Sequence, residues 1–218
     1  MIDTPLVRRP VHTGGVLLLA ASLQFVIVTA LTAGRTPGAT MWTSSLSALA
    51  AAPSPWGTIF EASLVALGGL AAIALLLVWS SFDELPNRGV GILALLLGAS
   101  ATAAAGVLLV SSQPLSSLGV RIARDLAVVA VGAGLVVVSF AMQRTDRWRI
   151  SRPYTLVTGA VILGAGALLA SGLHLPVSAG VLERLALVPA LLWPIVEGAH
   201  IVRLHRFAPG LHLKVAAA

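Results

Sequence analysis

Long apolar stretches follow one another along this chain with few polar interruptions, and the charged residues gather between them. Crossing a hydrocarbon layer about 30 Å thick at about 1.5 Å per residue takes about 20 helical residues. Six stretches meet or approach that length: residues 14–34, 58–80, 89–110, 125–142, 154–173 and 185–202. They are continuously apolar instead of alternating in pieces of about ten residues, which argues against a membrane barrel and predicts helices. The last stretch holds Glu197, Pro189 and Pro194 and counts as a span through the apolar runs on either side. The pattern predicts an all-α membrane protein, a six-transmembrane-helix bundle, with residues 1–218 as one integral membrane domain.

Composition agrees. Hydrophobic residues make up 57% of the 218 and charged residues only 10%, against roughly 25% charged in a soluble domain. So much apolar surface cannot be enclosed in one water-surrounded core, and the surplus must face lipid. The absence of cysteine excludes disulfides, thiolate metal sites and cysteine nucleophiles. The formal charge of +6 reads as topology and not as nucleic-acid binding, because Lys and Arg accumulate in short cytoplasmic loops.

With the N-terminus inside, one face carries Arg8, Arg9, Arg88, Arg144, Arg147, Arg149, Arg152, Arg203, Arg206 and Lys214. The other carries Arg35, Arg121, Arg124 and Arg184, so both termini are expected in the cytoplasm. Trp42 and Trp56 then fall near the outer interface, Trp79 and Trp148 near the inner one. Arg8 and Arg9 ahead of an apolar run also resemble a secretory signal. The run over residues 16–31 is longer than the usual core of about 7 to 15 residues, so the first span is expected to stay.

The longest connection, residues 35–57, is short, so any function lies in or beside the bilayer. In it Trp42, Leu46 and Leu49 recur at helical spacing, which suggests a short interfacial helix, either a plain connector or a lid carried by Trp42. Small residues supply close packing: Gly98, Thr102 and Gly106 on the third span, and Thr155, Gly159, Gly164 and Gly166 on the fifth. Gly164-Ala165-Gly166 lies inside a span with no strand before it, which argues against a nucleotide fingerprint. An echo of Ser, Pro and Gly followed by charge precedes the second, fourth and sixth spans, as three helical hairpins of one plan would produce.

Those three spans enter from outside, so Glu61, Arg121, Arg124, Asp125, Glu183 and Arg184 are expected at one depth. Two readings stand side by side. The charges are helix ends in water, with acids favoured at N-termini by the helix dipole, or they form a polar vestibule that holds a ligand. At the inner end Glu197 and His200 share a helix face as an intramembrane polar pair, either stabilising helix contacts or forming a half-site for protons. A di-iron bundle needs two Glu-x-x-His motifs and further carboxylates, and a haem clamp needs a second histidine at matching depth. Neither pattern is present, so no metal and no cofactor is expected. Pro189, Trp193 and Pro194 mark the sixth helix for a kink. The serine-hydrolase elbow, the aspartate-rich diphosphate site and the zinc-protease motif are all missing.

Several segments resemble an uncharacterised family of six-helix membrane proteins from bacteria and archaea, catalogued as domain of unknown function 998. They are Thr32-Ala33-Gly34-Arg35-Thr36-Pro37-Gly38, Ser45-Leu46-Ser47-Ala48-Leu49 before a Pro-Trp, the stretch from Phe60 to Gly68, and Leu182-Glu183-Arg184-Leu185 followed by Leu191-Leu192-Trp193. The resemblance covers most of the chain and implies a six-helix fold with no established activity or cofactor. Where the family often carries a histidine, near the start of the fourth span, this chain has Arg124. The functional expectation is a membrane protein that binds a lipid or amphiphilic small molecule at the outer charges. The alternatives are an enzyme acting on an isoprenoid or lipid with Glu61 or Asp125 as acid, and an accessory subunit of a larger membrane complex. Expected partners are membrane lipids, further copies of the chain or other subunits, and no nucleic acid.

Overall fold

The computed structural model describes residues 5–38, 49–50, 52, 55–79, 88–111, 117–142, 151–171 and 179–207. Six helices account for nearly all of them: α1 Pro5–Arg35, α2 Trp56–Val78, α3 Arg88–Val110, α4 Leu118–Met142, α5 Arg152–Ser171 and α6 Ala179–Phe207. Among the described residues there is no strand, and each helix is long and apolar enough to cross a membrane. Large apolar side chains such as Leu23, Ile27, Leu76, Leu93, Phe140 and Val157 point outward and stay exposed. In water such a surface would drive aggregation; in a bilayer it is the lipid-facing side of a multi-pass protein.

Helices α4 and α6 begin at Leu118 and Ala179, earlier than their apolar runs at 125 and 185 suggest. A helix that ended in apolar surroundings would leave backbone N–H groups without partners, so the chain stays helical until it reaches a polar layer. Arg121, Arg124, Asp125, Glu183 and Arg184 are therefore built into helices and not onto their tips. The same logic carries α1 back to Pro5 and α6 on to Phe207, through Pro10 in one and through Pro189 and Pro194 in the other.

The helices form a closed ring in chain order. Each packs on the next, α6 packs on α1, and across the ring α4 and α6 touch slightly. Neighbours run antiparallel. On α2, Gly68 meets Ala99 and Ala103 of α3 while Val65 meets Gly106. Gly91 and Gly98 of α3 face Val138 and Val131 of α4, and Gly132 of α4 faces Gly159 and Leu163 of α5. At the α1–α6 seam the Gly15 and Gly198 backbones meet directly: a Cβ on Gly198 would stand 2.7 Å from the Gly15 carbonyl oxygen. With little hydrophobic drive between helices in lipid, such close backbone approach supplies much of the dispersion energy. The third-span glycines do not act as one stripe, since Gly98 turns to α4 and Gly106 to α2, and Gly164 faces open space.

The starts of α2, α4 and α6 thus gather at one end of the ring, and the start of α1 and the end of α6 at the other, terminal end. Toward the terminal end the interior is filled by Val78, Ile92, Val138, Met142 and Ile201 among others. A second cluster packs Phe25, Phe60, Leu191, Leu49 and Ala50, with the two phenylalanine rings 5.6 Å apart. Leu49 is fully buried there, whereas Trp42 and Leu46 lie outside the described residues.

Candidate functional site

Inside the ring is a cavity of about 290 Å³ lined by residues from all six helices. Its walls are apolar: Leu18 and Ala21 of α1, Leu64, Leu67 and Ala71 of α2, Ala99 and Leu109 of α3, Val128 and Leu135 of α4, Ile162 and Leu169 of α5, Leu187 and Ala190 of α6. Leu75, Leu95 and Trp193 close it toward the terminal end. Small side chains at facing positions, among them Ala71, Ala99, Ala127, Ala186 and Ala190, leave the space that larger ones would fill.

Charge enters this wall at the opposite end only, through Arg124 and Asp125 of α4 and Glu183 of α6. Arg124 donates from Nε to Asp125 Oδ1 at 3.1 Å, and its Nη2 lies 3.0 Å from the same oxygen. Both side chains are more than half exposed, at 55% and 54%, so this pair is a solvated one and contributes little to stability. Of the other sequence candidates, Arg121 is exposed on the outside of α4, and Glu61 is half-buried beside Phe60 but off the cavity wall. Arg184, only 7% exposed, is buried next to Glu183 and also off that wall. No acidic residue occupies the first turn of α2, α4 or α6. Dipole stabilisation, confined to that turn, does not account for Glu61, Asp125 or Glu183.

Two hydroxyls interrupt the apolar wall. Thr102 donates its Oγ1 hydrogen to the Gly98 carbonyl at 2.9 Å. Ser22 is fully buried, and its Oγ has no hydrogen-bond partner. Ser22, with Gln24, Thr29 and Thr32 further along, interrupts the apolar run of α1 in the sequence, a signal masked by the ease with which serine bonds its own helix backbone.

A second polar region lies between α5 and α6. Trp193 Nε1 donates to Thr155 Oγ1 at 3.0 Å, both residues being buried. One turn further along each helix this antiparallel register brings Ser151 opposite Glu197, whose side chain is only 1% exposed. The Ser151 hydroxyl lies beside that carboxylate, while neither of its oxygens reaches hydrogen-bond geometry with a partner. His200, three residues on, is half-buried. Among the described residues no three His, Asp or Glu side chains gather closely enough to hold a metal ion.

The family model described as protein of unknown function (DUF998) matches residues 19–200, which runs from the middle of α1 into the last turns of α6. The chain belongs to that family. No curated protein and no solved structure matches it.

Proposed function

We propose that this DUF998 protein binds the apolar chain of a lipid or other amphiphile inside the helical ring, with the ligand's polar head at Arg124, Asp125 and Glu183. The observation that carries the reading is the cavity itself: apolar along its length, and charged at one end only. At about 30 Å³ for a water-sized group, a volume of 290 Å³ takes about ten methylenes, which suits one chain and not two. Moving ten methylenes out of water is worth about 8 kcal/mol at about 0.8 kcal/mol each. Moving them out of a bilayer is worth almost nothing, because the cavity wall is no more apolar than lipid. Selection of a membrane-borne ligand therefore falls to the charged mouth and to the Ser22 hydroxyl. The arginine distribution supports cytoplasmic termini, which turns this mouth outward, and the family resemblance favours a bacterial inner membrane as the setting.

The test is binding of single-chain amphiphiles to the protein in nanodiscs, read by native mass spectrometry. Ala186→Phe, on the cavity wall, is expected to abolish retention. Arg124→Gln should weaken anionic-headed ligands about tenfold, the loss of one charge-assisted hydrogen bond at about 1.5 kcal/mol. Arg203→Gln, exposed near the terminal end, should leave binding as it was. Equal retention by wild type and Ala186→Phe would refute the reading.

A further inference from the structure

A carboxylate at 1% exposure inside a membrane-spanning helix is the least favourable side chain in this molecule to leave uncompensated. Glu197 lies six residues inside Arg203, about 9 Å along the helix, and is covered by α5. Removing an ionised carboxylate from water without compensation costs far more than a protein's whole stability, so a buried one is found with a bound cation or a proton. Among the described residues no cation pairs with it. The titratable groups on the elements packed around it are Tyr154 and Arg152 of α5, His200 and Arg203 of α6, and His12 of α1, the last lying one turn from the Gly15–Gly198 contact. Arg203 is exposed and His12 half-buried, and neither makes an ion pair with Glu197.

What faces the carboxylate across the seam is the Ser151 hydroxyl, with Thr155 one turn away already engaged by Trp193. Hydroxyl and carboxylate oxygens are hard ligands, suited to a small cation without affinity for soft metals. A single negative charge among neutral oxygens balances one positive charge and not two. We propose that the α5–α6 seam is a site for one monovalent cation, a proton or Na⁺, with Glu197 as its charged ligand and the Ser151 hydroxyl beside it. The site stands apart from the cavity ligand: Trp193 separates them, lining the cavity on one side and holding Thr155 on the other.

Infrared spectra of the protein in zwitterionic nanodiscs at neutral pH separate the two ions, recorded first in choline buffer and then with Na⁺ added. A proton at the site gives a neutral-carboxyl C=O band that shifts in D₂O and is lost in Glu197→Gln. Sodium at the site gives instead a carboxylate band perturbed by Na⁺, with one ²²Na⁺ retained per chain and none in Glu197→Gln. Either result supports the site. A Glu197 carboxylate band that does not respond to Na⁺, together with no ²²Na⁺ retention, overturns it. Should Glu197→Gln fail to fold, Glu197→Asp must shift the same band, and an unshifted band overturns the assignment equally.

Discussion

Replacing Gly198 by alanine tests how the ring closes. The α1–α6 seam is the one principal interface whose two helices are not consecutive in the chain. A methyl group on Gly198 would sit 2.7 Å from the Gly15 carbonyl oxygen and 3.2 Å from Leu19 Cγ. The nearest obstacle is backbone, which cannot swing aside as a side-chain tip can. Restoring ordinary contact at 3.4 Å requires the helices to part by about 0.7 Å, and a gap of that order forfeits about a quarter to a half of the dispersion energy of the contacts it opens. Overpacking of this kind costs about 1–3 kcal/mol. The alanine recovers about 0.5–1 kcal/mol through its better helix propensity, leaving a net loss of about 0–2.5 kcal/mol. Gly164 supplies the opposite sign: nothing lies within 4 Å of its added Cβ, so Gly164→Ala should gain the propensity term alone. Unfolding in mixed micelles, followed by tryptophan fluorescence, measures both variants against wild type. If Gly198→Ala proves as stable as Gly164→Ala, backbone contact at that seam is not what closes the ring.

Trp193→Phe keeps most of the bulk at the cavity floor and removes the 3.0 Å bond to Thr155; a loss of about 0.6–1.7 kcal/mol is expected in the same unfolding assay, the range seen for interhelical hydrogen bonds in membranes, and no loss would mean that the bond is not formed. Gln24→Leu removes a 3.0 Å bond to the Ser63 carbonyl, an oxygen in a helix that keeps its own backbone geometry, so the cost should stay below about 1 kcal/mol. Arg35 lies 5.3 Å from the Trp56 ring centre; Arg35→Gln should cost about 0.5–1 kcal/mol. An even number of spans requires both termini on one side, so reporter tags at the two ends must respond alike to an impermeant reagent, and a split response would remove one helix from the count.

The spans were legible because length and apolarity are properties of single segments, and six runs of about the right length leave little else to build. Helix starts were harder to see. Arg121, Arg124 and Asp125 end the apolar run before α4, yet helical hydrogen bonding carries on through them to Leu118. The cavity left almost no trace in the sequence. Its α2 wall, Phe60, Leu64, Leu67, Ala71 and Leu75, repeats at helical spacing, but the lipid-facing residues between are equally apolar, so no periodicity stands out. In a soluble protein polar residues would have marked the outer face; here lipid erases that contrast. Convergence of charge toward one end could be read from the spans, whereas which charges turn inward could not: a single residue step separates Glu183 on the wall from Arg184 off it. Glu197 and His200 share a helix face by spacing, but it is Ser151, just ahead of α5, that stands beside Glu197, and pairing between helices is invisible in one segment.

The circular order of packing bears on how the protein is made. As each helix leaves the ribosome and enters the membrane it finds its predecessor already in place, so five interfaces can assemble during synthesis without waiting. The sixth cannot form until the last helix arrives and meets the first across nearly the whole length of the nascent chain. Until that moment the interior is an open trough accessible to bilayer lipid from the side, and a ribosome stalled before residue 179 would leave a well-inserted protein with no enclosed chamber at all.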